Sequence, residues 1–168
     1  MPGKVKPIPQ GYHSVTPYLC VNDAAHAIEF YQKAFGAKEV NRMKNPAGKI
    51  AHAELKIGDS TLMLADEMPQ TGVRSPQSLG GTSSSIFLYV EDCDAVFHQA
   101  VSAGAKGDMP PADMFWGDRF GKLTDPFGHS WNLATHKEDV APDEMERRGK
   151  EMWAKAAQQQ PHTQHAKG

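Results

Sequence analysis

An internal duplication constrains the fold of this chain more than any other feature. The stretch VNDAAHAIEFYQKAFGAK, starting at Val21, matches VEDCDAVFHQAVSAGAK, starting at Val90. Each runs from Val-x-Asp through a helical pattern to Gly-Ala-Lys, and the Gly-x-Ser at 58–60 recurs at 128–130. Self-similarity at a fixed offset, here about 70 residues, indicates two copies of one supersecondary unit.

Each copy predicts a strand, a helix and three further strands. Apolar residues recur at helical spacing in both repeats, with Asp23 and Asp92 at the N-cap positions and Gly36 and Gly104 where the helices must stop. Alternating and β-branched runs predict strands. In the first copy they lie near 13–21, 38–44, 49–57 and 60–66, with the hairpin turn NPAG at 45–48, and in the second near 82–90, 106–109, 119–124 and 129–136.

The domain organisation follows from these units. Residues 13–66 form the first module, 67–81 a linker loop rich in Pro, Gly and Ser, and 82–139 the second module. Residues 1–12 are an N-terminal extension. The segment 140–157 has a proline in its first turn and acids before bases, which predicts an added helix, and 158–168 is polar and predicted to be disordered.

Composition and charge exclude several classes of partner. The net charge of −2 and the scattered basic residues give no footprint for nucleic acid or an anionic membrane, and no apolar run reaches the roughly 20 residues of a membrane span. The N-terminus lacks the apolar segment of a signal peptide, so we expect a cytoplasmic protein. Cys20 and Cys93, without a CxxC motif, predict two reduced thiols.

Two stretches carry a family resemblance. TPYLCVNDAAHAIEFYQKAFGAKE and FWGDRFGKLTDPFGHSWNLATH resemble the vicinal oxygen chelate superfamily (glyoxalase I, extradiol dioxygenases, fosfomycin-resistance and bleomycin-resistance proteins), and especially its PhnB-like branch. The resemblance covers residues 13–139. It implies an α+β fold in which two βαβββ modules form a curved, cup-like mixed sheet, with the helices on its outer face and a C-terminal helix added.

Strand alternation assigns side chains to the cup that the resemblance implies. If the large apolar residues of each strand pack against the helices, the alternate residues face the cup. The inward set is Thr16, Tyr18 and Cys20 on the first strand, His52 and Glu54 on the third, Ser85, Phe87 and Tyr89 on the fifth, and Asn132 on the last.

The resemblance places Thr16, Glu54, Ser85 and Asn132 at the superfamily's four metal-ligand positions. The family usually has His or Gln, Glu, His and Glu there, whereas only Glu54 is a strong ligand in this chain. We therefore expect no metal and no other cofactor. The alternative is zinc, nickel, iron or manganese held by a degenerate set, which His52 could join as a weak second ligand.

The loop Trp116-Gly-Asp-Arg119 is the remaining polar and aromatic cluster. A Trp face and an Arg fork together suit a flat or anionic ligand. The alternative is that Trp116 plugs the cup while Arg119 pairs with Asp118 or Asp125. We expect His129 to point away from the cup and His136 to be exposed.

Two functions are consistent with these residues. The first is a metal-free protein that encloses a small organic ligand, as bleomycin-resistance members do. Its predicted ligand-binding residues are Thr16, Tyr18, His52, Glu54, Ser85, Phe87, Trp116, Arg119 and Asn132.

The alternative is an enzyme, a glyoxalase-like lyase, isomerase or dioxygenase, that uses Glu54 as metal ligand or general base. For a general base we expect aromatic enclosure to raise the pKa of Glu54, with Tyr18, His52 and Asn132 as neighbours. We also expect a homodimer, because superfamily members commonly complete the cup with a partner. A stripe on the added helix, Met145, Gly149, Met152 and Ala156, needs a cover.

Overall fold

A computed structural model describes residues 5–159, which form two mixed four-stranded sheets covered by helices. The strands are β1 (Tyr18–Val21), β2 (Lys38–Lys44), β3 (Ile50–Ile57), β4 (Ser60–Asp66), β5 (Ser85–Tyr89), β6 (Lys106–Asp113), β7 (Asp118–Thr124) and β8 (Ser130–His136). The helices are α1 (Ala24–Phe35), the single turn α2 (Pro76–Leu79), α3 (Cys93–Ser102) and α4 (Pro142–Gln159), with a 3-10 turn at Pro69–Thr71. The predicted disordered tail lies outside the described residues from 160 onward, and residues 158 and 159 belong to α4.

The strand order confirms two copies of one module. The first sheet has the order β1-β4-β3-β2 and the second β5-β8-β7-β6. In each sheet the first strand pairs in parallel with the last, and the other neighbours are antiparallel. This is the βαβββ arrangement predicted from the repeat.

Local sequence accounts for the helix ends. The Asp23 carboxylate accepts a hydrogen bond from the backbone N–H of His26 (3.1 Å), and Asp92 accepts one from Ala95 (2.9 Å), which satisfies N–H groups that a helix start leaves free. Helix α1 ends at Gly36, whose φ of 65° is the left-handed conformation that glycine adopts without steric cost.

One face of each sheet packs on the helices, and the strand alternation predicted from sequence holds. Leu19 and Val21 on β1, Ala53 and Leu55 on β3, and Trp131 and Leu133 on β8 are buried in the core. Helices α1 and α3 pack against each other, and a single hydrophobic cluster joins both modules. The opposite faces of the two sheets stay free of helices and carry the polar and aromatic residues.

A buried carboxylate fastens the two modules together. Asp125, 4% exposed in the turn before β8, accepts hydrogen bonds at Oδ2 from the Tyr31 hydroxyl (2.7 Å) and the Trp131 indole (2.9 Å). Its Oδ1 accepts the backbone N–H groups of Phe127 and His129, each at 2.9 Å. Because Tyr31 lies on α1, this carboxylate bridges the first module to the second.

Several predicted element bounds shift for identifiable reasons. Strand β1 begins at Tyr18 rather than near residue 13, because Pro17 has no N–H to donate and contributes its carbonyl to Met63 (2.9 Å). Strand β6 extends through Pro110 and Pro111 to Asp113, which an edge strand with register irregularities tolerates. The predicted linker loop contains the 3-10 turn and α2.

Helix α4 docks on the second module mainly by its first half, and Trp153 in its second half lies with its ring centroid 6.1 Å from that of Phe115. Gly149 is buried, with Phe115 lying against it, and Arg148 donates to both oxygens of Glu138 at 2.9 Å. Beyond Gly149 the described side chains of α4 are exposed, including Met152 and Trp153. Within residues 5–159, no helix is both long and apolar enough to span a bilayer.

Candidate functional site

The free face of the first sheet carries a chain of hydrogen-bonded side chains, which we call the Tyr-His-Glu chain. It consists of Tyr18 on β1, His52 and Glu54 on β3, and Tyr12 in the segment before β1. The Tyr18 hydroxyl lies 3.2 Å from His52 Nδ1, and His52 Nε2 lies 3.1 Å from Glu54 Oε1. The Tyr12 hydroxyl donates to the other oxygen, Glu54 Oε2. Tyr12 was not predicted from sequence, because a residue outside both modules has no strand position to place it.

The ionisation of Glu54 differs from the expectation. Hydrogen bonds from Tyr12 and His52 favour the carboxylate and hold the pKa of Glu54 below its ordinary value, outweighing the opposing effect of burial. The predicted rise was therefore wrong. A carboxylate with a lowered pKa and both oxygens engaged is a poor general base and a good orienting group for His52.

This ionisation fixes the roles along the chain. An ionised Glu54 only accepts, so His52 carries its proton on Nε2 and, in the neutral imidazole, Nδ1 accepts the Tyr18 hydroxyl. Burial raises the pKa of Tyr18, so its hydroxyl keeps its proton at neutral pH. Glu54 thus accepts the hydrogen bond from His52, and His52 accepts the one from Tyr18.

The segment before β1 lies over part of this face. Lys56 Nζ donates to the Gly11 carbonyl (2.9 Å), and with the Tyr12 contact this holds residues 11–12 on β3. A depression of about 410 Å³ under the segment is lined by Tyr12, Thr16, Glu54 and Met63 among others. The structure thus brings together the predicted site residues Thr16 and Glu54, although the Thr16 hydroxyl donates to the His13 carbonyl (3.3 Å).

The free face of the second sheet is aromatic. Phe87 lies with its ring centroid 5.0 Å from Tyr89 and 5.8 Å from Phe120, and Trp116 lies 5.6 Å from Phe120. We call these four rings the aromatic surface. Phe87 is 46% exposed and Tyr89 61% exposed, which leaves two rings of the surface open for contact.

A buried carboxylate supports one end of the aromatic surface. Asp118, 4% exposed, accepts the Tyr89 hydroxyl (3.2 Å) and the Trp116 indole N–H (3.1 Å) at Oδ2, and lies 2.8 Å from His136 Nδ1 through Oδ1. His136 Nε2 lies 2.9 Å from Asp139, and the two carboxylates, Asp139 first, raise the pKa of His136. His136 is therefore exposed, as predicted, and is also paired with two carboxylates.

A cleft of about 360 Å³ lies at the seam between the sheets, where edge strands β1 and β5 approach each other. Its lining includes Tyr18 from the first sheet and Ser85, Phe87, His129 and Ser130 from the second. We call it the seam cleft. Ser130 Oγ is buried without a hydrogen-bond partner among the described residues.

His129, which we expected to point away from the cup, is partly buried and lines the seam cleft. Its Nε2 lies 2.8 Å from the Cys20 carbonyl on β1 and the residue is partly buried, so the imidazole links the second module to the edge of the first. The residue precedes β8, and the alternation that governs a strand does not apply to it.

Arg119 lies on the other side of the second sheet from the aromatic surface. Its guanidinium donates to both oxygens of Asp94 on α3 (2.7 and 2.8 Å) and to Asp113 (3.3 Å). Neither Asp118 nor Asp125, the partners predicted from sequence, is involved. Alternation within β7 sends residues 119, 121 and 123 to the helix side, and therefore the structure does not bring Arg119 to the cleft.

The four metal-ligand positions do not form a set of strong ligands. Thr16 and Glu54 lie in the first module, while Asn132 Nδ2 donates to Ser85 Oγ (2.8 Å) in the second. Asn132 and Glu54 thus lie in different sheets. Among the described residues no group of three or more His, Cys, Asp or Glu side chains could hold a metal ion. The donor set of two hydroxyls, an amide and one carboxylate does not fit a divalent metal centre.

Comparisons of the sequence and the fold with known proteins point to one family. The sequence profile of the Glyoxalase/Bleomycin resistance protein/Dioxygenase superfamily matches residues 11–133. An uncharacterised protein of Mycobacterium tuberculosis is 47% identical over 136 residues, covering 79% of this chain and 80% of that protein.

Solved structures show the same fold. The crystal structure of TioX from Micromonospora sp. ML1 superposes with a TM-score of 0.59 at 27% identity, covering 74% of this chain and 98% of TioX. A PhnB protein from Bacillus cereus gives a TM-score of 0.57 at 22% identity, covering 73% and 99%, and supports the fold alone.

Proposed function

The chain belongs to the Glyoxalase/Bleomycin resistance protein/Dioxygenase superfamily, and from that premise we propose that it binds a small, flat organic molecule without a divalent metal. The observation that carries the proposal is the exposed aromatic surface bordering the seam cleft. Phe87 belongs to both, so a ligand in the cleft is placed against the aromatic surface. Stacking on such rings contributes about 0.5–1.5 kcal/mol per pair beyond the burial of apolar area.

Polar groups at the seam supply a second kind of contact. Ser130 Oγ lacks a partner among the described residues, and the Ser85 hydroxyl and the Asn132 amide lie on the same sheet. Lys122 is paired with Asn132 across β7 and β8 and forms no ion pair with any residue in the described part of the chain. These groups suit a ligand with an oxygen at one edge of a planar ring system.

Calorimetric titration with 2-naphthoate, a flat aromatic anion, tests the proposal. Trp116→Leu is expected to weaken binding about tenfold, because it removes one ring of the aromatic surface, the ring that packs against Phe120. The matched change Trp153→Leu on α4 and the change Arg119→Ala on the helix side of β7 should leave the affinity unchanged. Equal affinity of all three variants and the parent protein would contradict binding at the aromatic surface.

Absence of a metal centre is part of the proposal. Purified untagged protein is expected to contain zinc, nickel, iron and manganese well below one ion per chain, because three of the four ligand positions are Thr, Ser and Asn. Elemental analysis by mass spectrometry measures this directly. One tightly held ion per chain would contradict the metal-free proposal.

An enzyme of the superfamily is the second candidate, favoured by the Tyr-His-Glu chain. A histidine oriented by a carboxylate and hydrogen-bonded to a hydroxyl is an arrangement that transfers protons in many enzymes. In this candidate Glu54 orients His52 and does not itself act as the base.

A homodimer in the cytoplasm completes the proposal. The two free sheet faces expose Tyr18, Phe87 and Tyr89, and the distal half of α4 exposes Met152 and Trp153, so apolar area remains for a second copy to cover. Cys20 and Cys93 are free thiols, which is consistent with a reducing compartment.

A further inference from the structure

The Tyr-His-Glu chain ends at the seam cleft. Tyr18 lines the cleft and is 51% exposed, whereas the side chains of His52 and Glu54 are only 24% and 15% exposed. A ligand in the cleft therefore contacts Tyr18 before it can contact the other two residues. The hydrogen bonds behind Tyr18 lead away from the cleft, from the hydroxyl to His52 Nδ1 and from His52 Nε2 to Glu54.

We infer that Tyr18, His52 and Glu54 act as a proton relay that ionises a weakly acidic hydroxyl of the bound ligand, such as the hydroxyl of a phenol or of an enol. The inference rests on the proposed binding of a flat ligand and names the chemical class of that ligand. Tyr18 is the residue that contacts the ligand. His52 accepts the proton, and Glu54 and Tyr12 are positioning residues.

The proton movement balances without any other reactant. The ligand hydroxyl donates to the Tyr18 oxygen, its O–H bond breaks, and a new O–H bond forms on Tyr18. The original Tyr18 proton passes to His52 Nδ1, whose N–H bond forms at the same time. The products are a ligand anion and a His52 imidazolium next to the Glu54 carboxylate, and nothing is oxidised or reduced.

Passing the proton through Tyr18 avoids a free tyrosinate. Tyr18 gains one proton as it loses another, so it stays neutral, which agrees with the raised pKa of its hydroxyl. The charge that does form, on His52, lies against a carboxylate that Tyr12 holds from the other side. His52 Nε2 lies 3.1 Å from Glu54 Oε1, which is the arrangement of histidine and carboxylate in a Ser-His-Asp triad.

Few other ionisable groups surround the relay. In the strand register, Met43 lies opposite His52, while Asn41 and Met63 lie opposite Glu54, and none of these three side chains ionises. On the same face, Cys20 follows Tyr18 on β1, and Lys56, two residues after Glu54, donates to the Gly11 carbonyl. From the second module, His129 also lines the seam cleft, and its Nε2 lies 2.8 Å from the Cys20 carbonyl. The His52–Glu54 pair is the ionisable group joined to Tyr18 by hydrogen bonds.

The test uses p-nitrophenol as a probe, because its phenolate absorbs visible light and reports ionisation directly. The absorbance of the bound probe is titrated against pH and compared with that of the free probe. The ionisation midpoint of the bound probe is expected to fall by about one pH unit in the parent protein. Glu54→Gln, His52→Gln and Tyr18→Phe should each abolish most of this shift.

Glu39→Gln is the matched control. It removes one carboxylate from the same sheet, but Glu39 pairs with Arg42 (2.7 Å) and lies outside the relay, so the shift should persist. Thermal melting shows that each variant is folded. Because three separate variants probe the relay, misfolding of one of them leaves two that can contradict the inference.

Three results would overturn the relay. One is a bound probe with an unshifted midpoint, and another is a shift that survives Glu54→Gln and His52→Gln; both would leave the proposed ligand binding intact. The third is a failure of p-nitrophenol to bind while 2-naphthoate binds. That result would reject a ligand with a weakly acidic hydroxyl and would leave the proposed binding at the aromatic surface intact. If neither probe binds, the proposed function fails together with the inference.

Discussion

At the scale of single residues, two buried aspartates, Asp125 and Asp118, organise the structure, whereas the carboxylate predicted from sequence to be functional was Glu54. Asp125 accepts four hydrogen bonds that join the modules, and Asp118 accepts the donors that hold Tyr89, Trp116 and His136 in place. Neither aspartate was predicted to organise the structure, because contacts between residues that are distant in the chain leave no local pattern in the sequence. Glu54, by contrast, could be placed from the period of β3 alone.

The role of Asp125 can be measured through stability. Asp125→Ala leaves two side-chain donors and two backbone N–H groups in the core without an acceptor, and is expected to lower the free energy of unfolding by about 3 kcal/mol. Tyr31→Phe removes one donor and should cost about 1 kcal/mol. Urea denaturation gives both values.

Asp113→Ala is the control for this series. Asp113 makes only an exposed ion pair with Arg119 (3.3 Å), so its loss should change the free energy of unfolding by less than about 0.5 kcal/mol. Equal costs for Asp113→Ala and Asp125→Ala would contradict a fastening role for Asp125.

At the scale of elements, the end of β8 and the segment that follows are joined by charge. His136 lies between Asp118 on β7 and Asp139 beyond β8. The same segment holds the loop at Trp116, because the backbone N–H groups of Lys137 and Glu138 donate to the Gly117 carbonyl (2.9 and 3.0 Å). Gly117 has a φ of 100°, and a Cβ there would lie 2.2 Å from the Glu138 carbonyl oxygen, so only glycine fits this turn.

This junction predicts a pH dependence of stability. The pKa of His136 is raised in the folded protein, so the charged imidazole stabilises the fold. That contribution is fully present below the unfolded value, about 6.5, and is lost as pH rises through the raised folded value. Urea midpoints measured from about pH 5.5 to 8.5 should fall over this window, and His136→Asn should flatten that fall.

His98→Asn serves as the control for the pH series, because His98 is exposed on α3 and outside this junction. Its pH profile should keep the slope of the parent protein. A profile that is unchanged in His136→Asn would show that other groups cause the dependence.

The helices and the strands of each module were predictable because they follow from periodicity and capping. The arrangement of the sheets, and with it the inward or outward direction of most strand residues, rested on the family resemblance as well. The positions of Tyr12, His129 and Arg119 were not predictable. Tyr12 and His129 lie outside regular strands, where no period applies. Arg119 pairs with Asp94 on α3, and the sequence does not show that this helix packs over β7. The lowered pKa of Glu54 could not be predicted from sequence either, because it depends first on the hydrogen bond from Tyr12.

At the scale of the whole molecule, the helix sides of both modules share one core, while the opposite faces of the sheets are open. The seam cleft brings Tyr18, Ser85 and Phe87 together within one chain, but Glu54 and Asn132 stay in separate sheets. A second copy is the proposed cover for the exposed rings and for the distal half of α4.

Sedimentation velocity at micromolar concentration tests this assembly. The protein is expected to sediment at twice the mass of the chain, and replacing Met152 and Trp153 together by Glu should shift it toward monomer, because the change charges an exposed apolar patch of α4. Lys155→Glu changes the charge of the same helix without removing apolar area and should leave the dimer intact. A parent protein that sediments as a monomer contradicts the dimer, and a dimer that survives deletion of residues 141–168 excludes α4 as its main contact.

The contrast between the two open faces has an evolutionary consequence. A solitary ancestral module that paired with itself would have presented identical faces on both sides of its binding site, and every mutation would have appeared twice. In a single chain that carries both modules, a mutation changes one face and leaves the other as it was. The first face carries His52 and Glu54, and the second carries Phe87, Tyr89 and Phe120. Two faces that differ in this way suit an asymmetric ligand, charged at one end and flat at the other.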